Sequence, residues 1–304
     1  MIERLIADYK GQKEGPLLIV VGGLHGNEMA GIHAIKQLYK MLLEENYKDA
    51  SFLYKGRFVG IVGNITALLQ KKRLLDLDLN RIWLENHNDI AFSSEYKEMI
   101  AMQKMIYAFV NDHPKDHPIY IMDLHTTSSP RGIFAVCTNT EQSKNVTGRL
   151  HCPVIVNMTD QLHGSMIQYY ATHSIDERTI VSFAFEGGQH DDGASTSRLI
   201  AAMVNCMRSI GAVLPENVES HHDKVLREYA HGLPKYCKIT YIHQIEDGRL
   251  WKMKPGYYGF QEVHKGEVVA KYNGQEVKIP HDGLILMPLY QENGKEGFFI
   301  VNVE

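Results

Sequence analysis

The sequence has few cysteines, no long apolar run and no large excess of either charge. Its four cysteines are widely spaced and form no C-x-x-C pair, which excludes a small disulfide scaffold. The longest apolar runs, such as Pro16–Val21 and Leu284–Leu289, fall far short of the roughly 18 residues that a membrane helix needs. The net charge is −4 with both signs mixed along the chain, so nucleic acid is a poor candidate partner.

The N-terminal residues 1–5 contain no apolar core of the signal-peptide type, so we expect a cytoplasmic protein with reduced thiols. Hydrophobic residues make up 44% of the 304 residues and charged residues 22%, which predicts an ordinary globular chain with a sizeable core. Histidine is unusually frequent at 16 residues, which justifies a search for a metal site.

Apolar, β-branched runs alternate with segments of helical periodicity through the first part of the chain. The predicted strands are Leu17–Val21, Arg57–Val62, Ile119–Met122 and Ile180–Phe185. The predicted helices are 29–45, Ser93–Val110, Ser165–His173 and Ser195–Ile210. Fully apolar strands that alternate with helices predict an α/β fold, with a mixed, mostly parallel sheet covered by helices on both faces.

Helical periodicity disappears after about residue 230, where short strand patterns are separated by turn signals such as Lys254-Pro255-Gly256 and Asn273-Gly274. This pattern predicts a small all-β domain, a barrel or a sandwich. We therefore expect a catalytic domain at 1–230 and a C-terminal β domain at 231–304.

Polar side chains that can bind a metal or move a proton follow several of the predicted strands. They are His25 and Glu28, Asn64, Asp123 and His125, and Glu186. Ligands of open α/β sheets bind beyond the carboxyl ends of the strands, so these groups are candidates for one site. Catalytic zinc commonly has three protein ligands and one open position, and His25, Glu28 and His125 supply such a set. Glu186 is then the candidate general base.

The spacing H-x-x-E is weak evidence by itself, because it also occurs at His243–Glu246 and His264–Glu267 in the β-rich tail. Glu28 could instead belong to a plain helix start with Asn27 as its N-cap. The preceding glycine-rich turn and the other polar strand ends favour the metal site. Asp123 is equally compatible with orienting an imidazole and with a simple strand-end turn.

A second group of polar residues lies between Arg73 and Trp83, where charges alternate with leucines. Arg81 offers a planar fork to a carboxylate, and Asn80 adds an amide donor. A solvated surface segment explains the same pattern, and the residues alone leave the two interpretations open.

Four motifs, in this order, resemble the aspartoacylase/succinylglutamate desuccinylase family, which belongs with the zinc carboxypeptidase-like fold. They are Gly22–Glu28, Asp76–Arg81, Asp123–Thr127 and Phe185–Gln189. The tail also resembles the family's C-terminal β domain, so the resemblance covers nearly the whole chain. It implies one Zn²⁺ per chain and a possible homo-oligomer.

The resemblance also implies a role for each matching residue. His25, Glu28 and His125 hold the zinc, and Glu186 acts as general base and acid. The remaining roles are assigned to Arg73, which polarises the scissile carbonyl, to Asn80 and Arg81, which hold a substrate carboxylate, and to Tyr290, which closes the pocket.

One departure from the family pattern concerns the substrate. Aspartoacylases are expected to carry a further arginine before the catalytic glutamate; here His173 stands about there, and Arg178 is the nearest guanidinium. A neutral N-acyl amino acid or another small amide is therefore as good a candidate substrate as a dicarboxylic one. The function hypothesis is a zinc-dependent deacylase; the alternatives are a zinc carboxypeptidase acting on peptides and a non-catalytic zinc-binding protein.

Overall fold

The computed structural model describes residues 2–48, 52–214 and 221–304, and strands and helices alternate in it up to residue 230. The strands of this part are β1 (Leu5–Lys10), β2 (Lys13–Gly22), β3 (Lys55–Val62), β4 (Ile119–Thr127), β5 (Ile133–Cys137), β6 (Val154–Ile155) and β7 (Ile180–Gln189). The helices are α1 (Met29–Lys48), α2 (Ile65–Leu69), α3 (His87–Ile90), α4 (Ser94–Asp112), α5 (Glu141–Thr147), α6 (Met158–Gln161), α7 (Met166–Thr172), α8 (Ser195–Ser209) and α9 (His221–Ala230), with a 3-10 helix at Leu79–Arg81.

The rest of the chain consists of short strands. They are β8 (Tyr236–Gln244), β9 (Trp251–Met253), β10 (Gln261–Val263), β11 (Val268–Tyr272), β12 (Gln275–Lys278), β13 (Gly283–Leu286) and β14 (Glu296–Val303), with a 3-10 helix at Gly248–Leu250. Strands β12, β11 and β9 form a small antiparallel sheet. The predicted loss of helices after about residue 230 is confirmed.

An eleven-stranded mixed sheet runs through the molecule in the order β1-β3-β2-β4-β7-β5-β6-β8-β14-β13-β10. Its centre, β3-β2-β4-β7, is parallel, and β5 is antiparallel to β7. Strand β8 pairs in parallel with β6 and continues into the antiparallel strands β14, β13 and β10. The C-terminal strands thus extend the same sheet, and the division into two domains at residue 230 stays a prediction.

Helices cover both faces of the sheet, as the apolar strands predicted. Successive side chains of a strand point to opposite faces, and on β2 Leu18 and Val20 pack in one core with residues of α1 and α8. Leu17 and Ile19 pack in a second core on the other face, with residues of α4 and α7. This double cover explains why β2 carries no polar side chain between Pro16 and Gly22.

Two central strands are longer than the sequence pattern predicts, and this places the polar residues inside them. The prediction ended the strands at Met122 and Phe185, but β4 continues to Thr127 and β7 to Gln189. Pairing between the two strands runs on through the added residues, and β5 also pairs with β7 up to Gly187. The hydrogen bonds between the strands therefore keep these polar residues in extended conformation, although their side chains break the apolar pattern of the strands.

The four cysteines are buried free thiols. Among the described residues, no helix has the length and apolar character needed to cross a membrane.

The guanidinium of Arg178 donates hydrogen bonds to backbone carbonyl groups. Arg178 was considered above as the guanidinium nearest to the position of the missing substrate-binding arginine. Its Nη1 donates to the carbonyl oxygens of Val110 and His113, each at 2.8 Å. Its Nη2 donates to those of Pro114 and His117, each at 2.9 Å. The guanidinium thus ties the loop after α4 to the start of β7, and it has no contact with the polar strand ends.

Replacing Arg178 with methionine is expected to lower the free energy of unfolding by about 3 kcal/mol, because four carbonyl oxygens lose a charged donor. Urea denaturation measures this change. Arg149→Met, at an exposed arginine, is the matched control and should change stability by less than about 0.5 kcal/mol. An equal effect in both variants would contradict the structural role.

Candidate metal and catalytic site

The polar residues predicted as a site meet at the carboxyl ends of β2, β4 and β7. His25 and Glu28 lie in the turn between β2 and α1, and His125 lies near the end of β4. Glu186 on β7 is the direct register partner of His125. The parallel pairing of the strands therefore brings together groups that are far apart in the sequence.

The turn that carries His25 depends on a close approach of two backbone segments. A Cβ atom at Gly26 would lie 2.3 Å from the carbonyl carbon of Ala67, in helix α2, so a side chain cannot be accommodated there. The Gly26 N–H also donates to the carbonyl oxygen of Arg73 at 3.1 Å. Glycine at this position thus holds Arg73 beside the first histidine.

The carboxylate of Glu28 lies between two imidazole rings. Its Oε1 is 2.8 Å from Nδ1 of His25, and its Oε2 is 3.2 Å from Nδ1 of His125. Each of the three residues offers one ligand atom, and these atoms lie within 4.8 Å of one another. All three side chains are buried, and two imidazoles with one carboxylate are a donor set that suits a transition-metal ion. The group could therefore hold a metal.

The outer nitrogen of each histidine ring faces a second carboxylate. His25 Nε2 is 3.0 Å from Asp78 Oδ1, and His125 Nε2 is 2.7 Å from Asp123 Oδ2. Such contacts fix the orientation of a ring whose other nitrogen binds a metal. Of the two interpretations of Asp123, the structure favours the one that orients an imidazole. Asp78 was not assigned this role from the sequence.

These contacts also fix the charges in the site. Burial opposes ionisation of Glu28, but the neighbouring His25 and His125 hold the pKa of Glu28 well below its usual value. Burial likewise opposes the charged form of His125, yet Asp123 and Glu28 raise its pKa. Binding of a metal by imidazole nitrogens requires that these nitrogens carry no proton, so metal binding at this group would be coupled to proton release.

Glu186 differs from Glu28, because its carboxyl group lies between no pair of imidazole rings and burial dominates its pKa. Its Oε2 is buried and has no hydrogen-bond partner among the described residues. Burial raises its pKa to about 7, with only partial compensation from His125. Glu186 lines the same cavity as the His25–Glu28–His125 group. A carboxyl group of this kind can accept and return a proton near neutral pH.

The residues predicted to bind substrate from the segment before Trp83 also line this cavity. Arg73 is 3.4 Å from Glu28 and 3.1 Å from Asp78. The side chain of Asn80 is 3.4 Å from His125 Nε2 and accepts a hydrogen bond from the backbone of helix α7. Arg81 is 3.4 Å from Glu296 of β14. The segment is thus part of the site and not a solvated surface loop.

A buried glutamate holds this segment in place. Glu95, at the start of α4, is fully buried and accepts hydrogen bonds from the backbone N–H groups of Leu75, Asp76 and Leu77 and from the side chain of Asn64. Sequence analysis did not single out Glu95, because a glutamate in the first turn of a helix has an ordinary explanation in the helix dipole.

Two predicted substrate-binding residues do not line the cavity. His173 is exposed and stacks on the ring of Tyr169, with ring centroids 4.3 Å apart. The hydroxyl of Tyr290 donates to backbone carbonyl oxygens of Lys254 and Tyr257, on the side of the C-terminal strands. The substrate roles of His173 and Tyr290 stay predictions, and the guanidinium of Arg178 is bound by backbone carbonyl groups away from the cavity. His173 and Tyr290 both lie outside the four motifs that carry the family resemblance, and a short motif does not determine the path of a distant loop.

His190 lines the cavity although the sequence analysis missed it. Its Nδ1 is 2.7 Å from the hydroxyl of Thr126, and burial lowers its pKa. A signal was present, since His190 directly follows the matched motif Phe185–Gln189 at the end of β7.

Comparison with known families agrees with this geometry. Residues 14–206 match the succinylglutamate desuccinylase/aspartoacylase catalytic domain. The chain belongs to this family. The resemblance noted in the four motifs is therefore confirmed, and the matched segment contains all three candidate metal ligands together with Glu186.

Relatives cover most of the chain at low identity. An N-acyl-aromatic-L-amino acid amidohydrolase (carboxylate-forming) of Xenopus tropicalis is 22% identical over 286 residues, 86% of each chain. A succinylglutamate desuccinylase of Shewanella putrefaciens is 24% identical, covering 89% of this chain and 77% of its own. Among solved structures, a succinylglutamate desuccinylase/aspartoacylase from Rhodobacter sphaeroides has a TM-score of 0.68 and 17% identity, covering 98% of this chain and 87% of its own.

If the three residues hold a metal, the purified protein should bind about one divalent ion per chain, and His125→Ala should lose it. Asp123→Asn should keep the site but weaken metal affinity by about 10- to 100-fold, because the ring loses its orienting carboxylate. Elemental analysis and competition with a chelator measure both effects. His173→Ala is the control at a histidine outside the cavity. Metal content that is unchanged in His125→Ala would contradict the site.

Proposed function

We propose that the protein is a zinc-dependent hydrolase that cleaves the amide bond of a small N-acyl amino acid. One observation carries this proposal: Glu186, whose buried Oε2 has no hydrogen-bond partner in the described part of the chain, lines the same cavity as the His25–Glu28–His125 group. Membership of a family whose named relatives hydrolyse N-acyl amino acids supports amide hydrolysis. The sheet fits the zinc carboxypeptidase-like fold, which we propose with it.

The fit of zinc follows from the donor set of two imidazole nitrogens and one carboxylate, which leaves a position open for a reactant. When bound, zinc would serve as a Lewis acid for the acyl carbonyl and for water. The chain's own residues then supply the proton transfers and the orientation of the substrate.

Glu186 accepts a proton from the attacking water and returns it to the departing amine, which needs a carboxyl group whose pKa is near neutral. Arg73 can donate a hydrogen bond to the carbonyl oxygen as negative charge develops there, and it remains charged because burial is outweighed by Asp78 and Glu28. Arg81 and Asn80 orient a substrate carboxylate, so that the amide lies between Glu186 and Arg73.

The alternative of a carboxypeptidase acting on peptides is less well supported. Residues of the C-terminal strands and their loops, including Leu289, Asn293 and Phe299, line the cavity from the side opposite β2 in the sheet order. A cavity walled on this side suits a small amide better than an extended peptide.

The homo-oligomer implied by the family resemblance stays a prediction.

Replacing Glu186 with glutamine should lower kcat by about 10²- to 10⁴-fold and leave zinc content unchanged, because the amide cannot accept the proton and Glu186 is not a metal ligand. Hydrolysis of a panel of N-acyl amino acids, followed by amine release, measures the loss. Glu262→Gln, at an exposed glutamate on β10, is the matched control. Near-normal turnover in Glu186→Gln would show that another group is the base.

A further inference from the structure

We infer that the cavity contains an apolar subsite that takes a nonpolar group of the amide substrate, which makes the enzyme selective for aliphatic or aromatic amides over dicarboxylic ones. This inference rests on the proposed function and names its substrate class. The nonpolar group can belong to the acyl part or to the amino acid, and the experiment below separates these two sources.

One wall of the cavity is built from apolar side chains of several elements. They are Val136 of β5, Met158 and Leu162 at the two ends of α6, Ile167 of α7, Met287 after β13 and Phe299 of β14. All six belong to one packed apolar cluster, in which they also contact apolar residues that do not line the cavity. An apolar wall with a few polar groups at one end is the usual form of a small-molecule site.

The wall begins beside the catalytic carboxyl group. Ala184 lines the cavity and belongs to the apolar cluster, and it lies two residues before Glu186 on β7. Residues two apart on a strand share a face, so Ala184 and Glu186 point to the same side of the sheet. Val136 is the register partner of Ala184 on β5. A substituent next to the reacting amide therefore meets this wall.

The charges of the cavity argue against a second substrate carboxylate. In the described part of the chain, the arginines that line the cavity are Arg73 and Arg81, and no lysine lines it. Arg73 already faces Glu28 and Asp78, and Arg81 faces Glu296. One carboxylate can bind at Arg81 by competing with Glu296. At the apolar wall, a second carboxylate would find no arginine or lysine among the described residues.

The experiment measures how binding and hydrolysis change with the length of the nonpolar group. The acyl arm compares N-acetyl-, N-butanoyl- and N-hexanoylglycine. The amine arm compares N-acetylglycine with N-acetylnorleucine and N-acetylphenylalanine, and N-acetylaspartate is the dicarboxylic reference. Burial of each methylene group should raise kcat/KM by about threefold to fourfold in the arm whose group occupies the subsite.

A binding readout keeps this inference separate from the proposed function. The same amides are titrated by calorimetry into zinc-loaded Glu186→Gln protein, where turnover is removed. Affinity that rises with the length of the nonpolar group supports the subsite. This holds even if the wild-type protein hydrolyses none of the amides, because a lack of hydrolysis would overturn only the proposed function. Hydrolysis without any length dependence in either arm, or a preference for N-acetylaspartate, would overturn the subsite alone.

Leu162→Ala tests the wall itself. It should lower kcat/KM and affinity about fivefold or more for the longest substrate of the preferred arm, and by a clearly smaller factor for N-acetylglycine, which does not reach the wall. Leu284→Ala is the matched control, because Leu284 is also half-buried against the same cluster but does not line the cavity. Equal losses in the two variants, or equal losses on short and long substrates, would overturn the assignment.

Discussion

Glu28 places a buried carboxylate between the rings of His25 and His125, and the geometry of the site depends on this charge. Its Oε2 also accepts a hydrogen bond from the backbone N–H of Thr126 at 2.9 Å, so the end of β4 is tied directly to the turn after β2. Arg73 approaches its other oxygen. A buried carboxylate is stable only when such partners surround it, and here the partners are the two candidate metal-binding histidines, a backbone N–H group and Arg73.

The segment that supplies Arg73, Asp78 and Asn80 has little regular structure beyond the 3-10 helix at Leu79–Arg81, so contacts from other elements must hold it in place. Glu95 provides the fixed point, since its carboxylate binds three successive backbone N–H groups of this segment. Glu98, one turn further along α4, accepts hydrogen bonds from Thr66 of α2 and from Arg4. One carboxylate of α4 thus holds the segment around Asp76, and a second one holds the start of α2.

The C-terminal strands give the cavity its far wall. They continue the central sheet beyond β6 and bring Glu296 to Arg81, and Phe299 and Met287 to the apolar cluster. The cavity therefore has a charged end around the candidate metal ligands and an apolar end beside β5 and β7. In the proposed function, this division of polarity would select among amides, whereas the motifs shared with the family would supply the groups for amide cleavage.

The sequence by itself determined the α/β class, the central strands, the main helices and the set His25, Glu28, His125 and Glu186, because apolar periodicity and strand-end polar residues are local signals. It did not determine the true lengths of β4 and β7 or the paths of the loops, and so it did not show that His173 and Tyr290 lie outside the cavity lining. Only the tertiary structure decided these points, because strand pairing, the buried anchor Glu95 and the apolar wall arise from contacts between residues that are far apart in the chain.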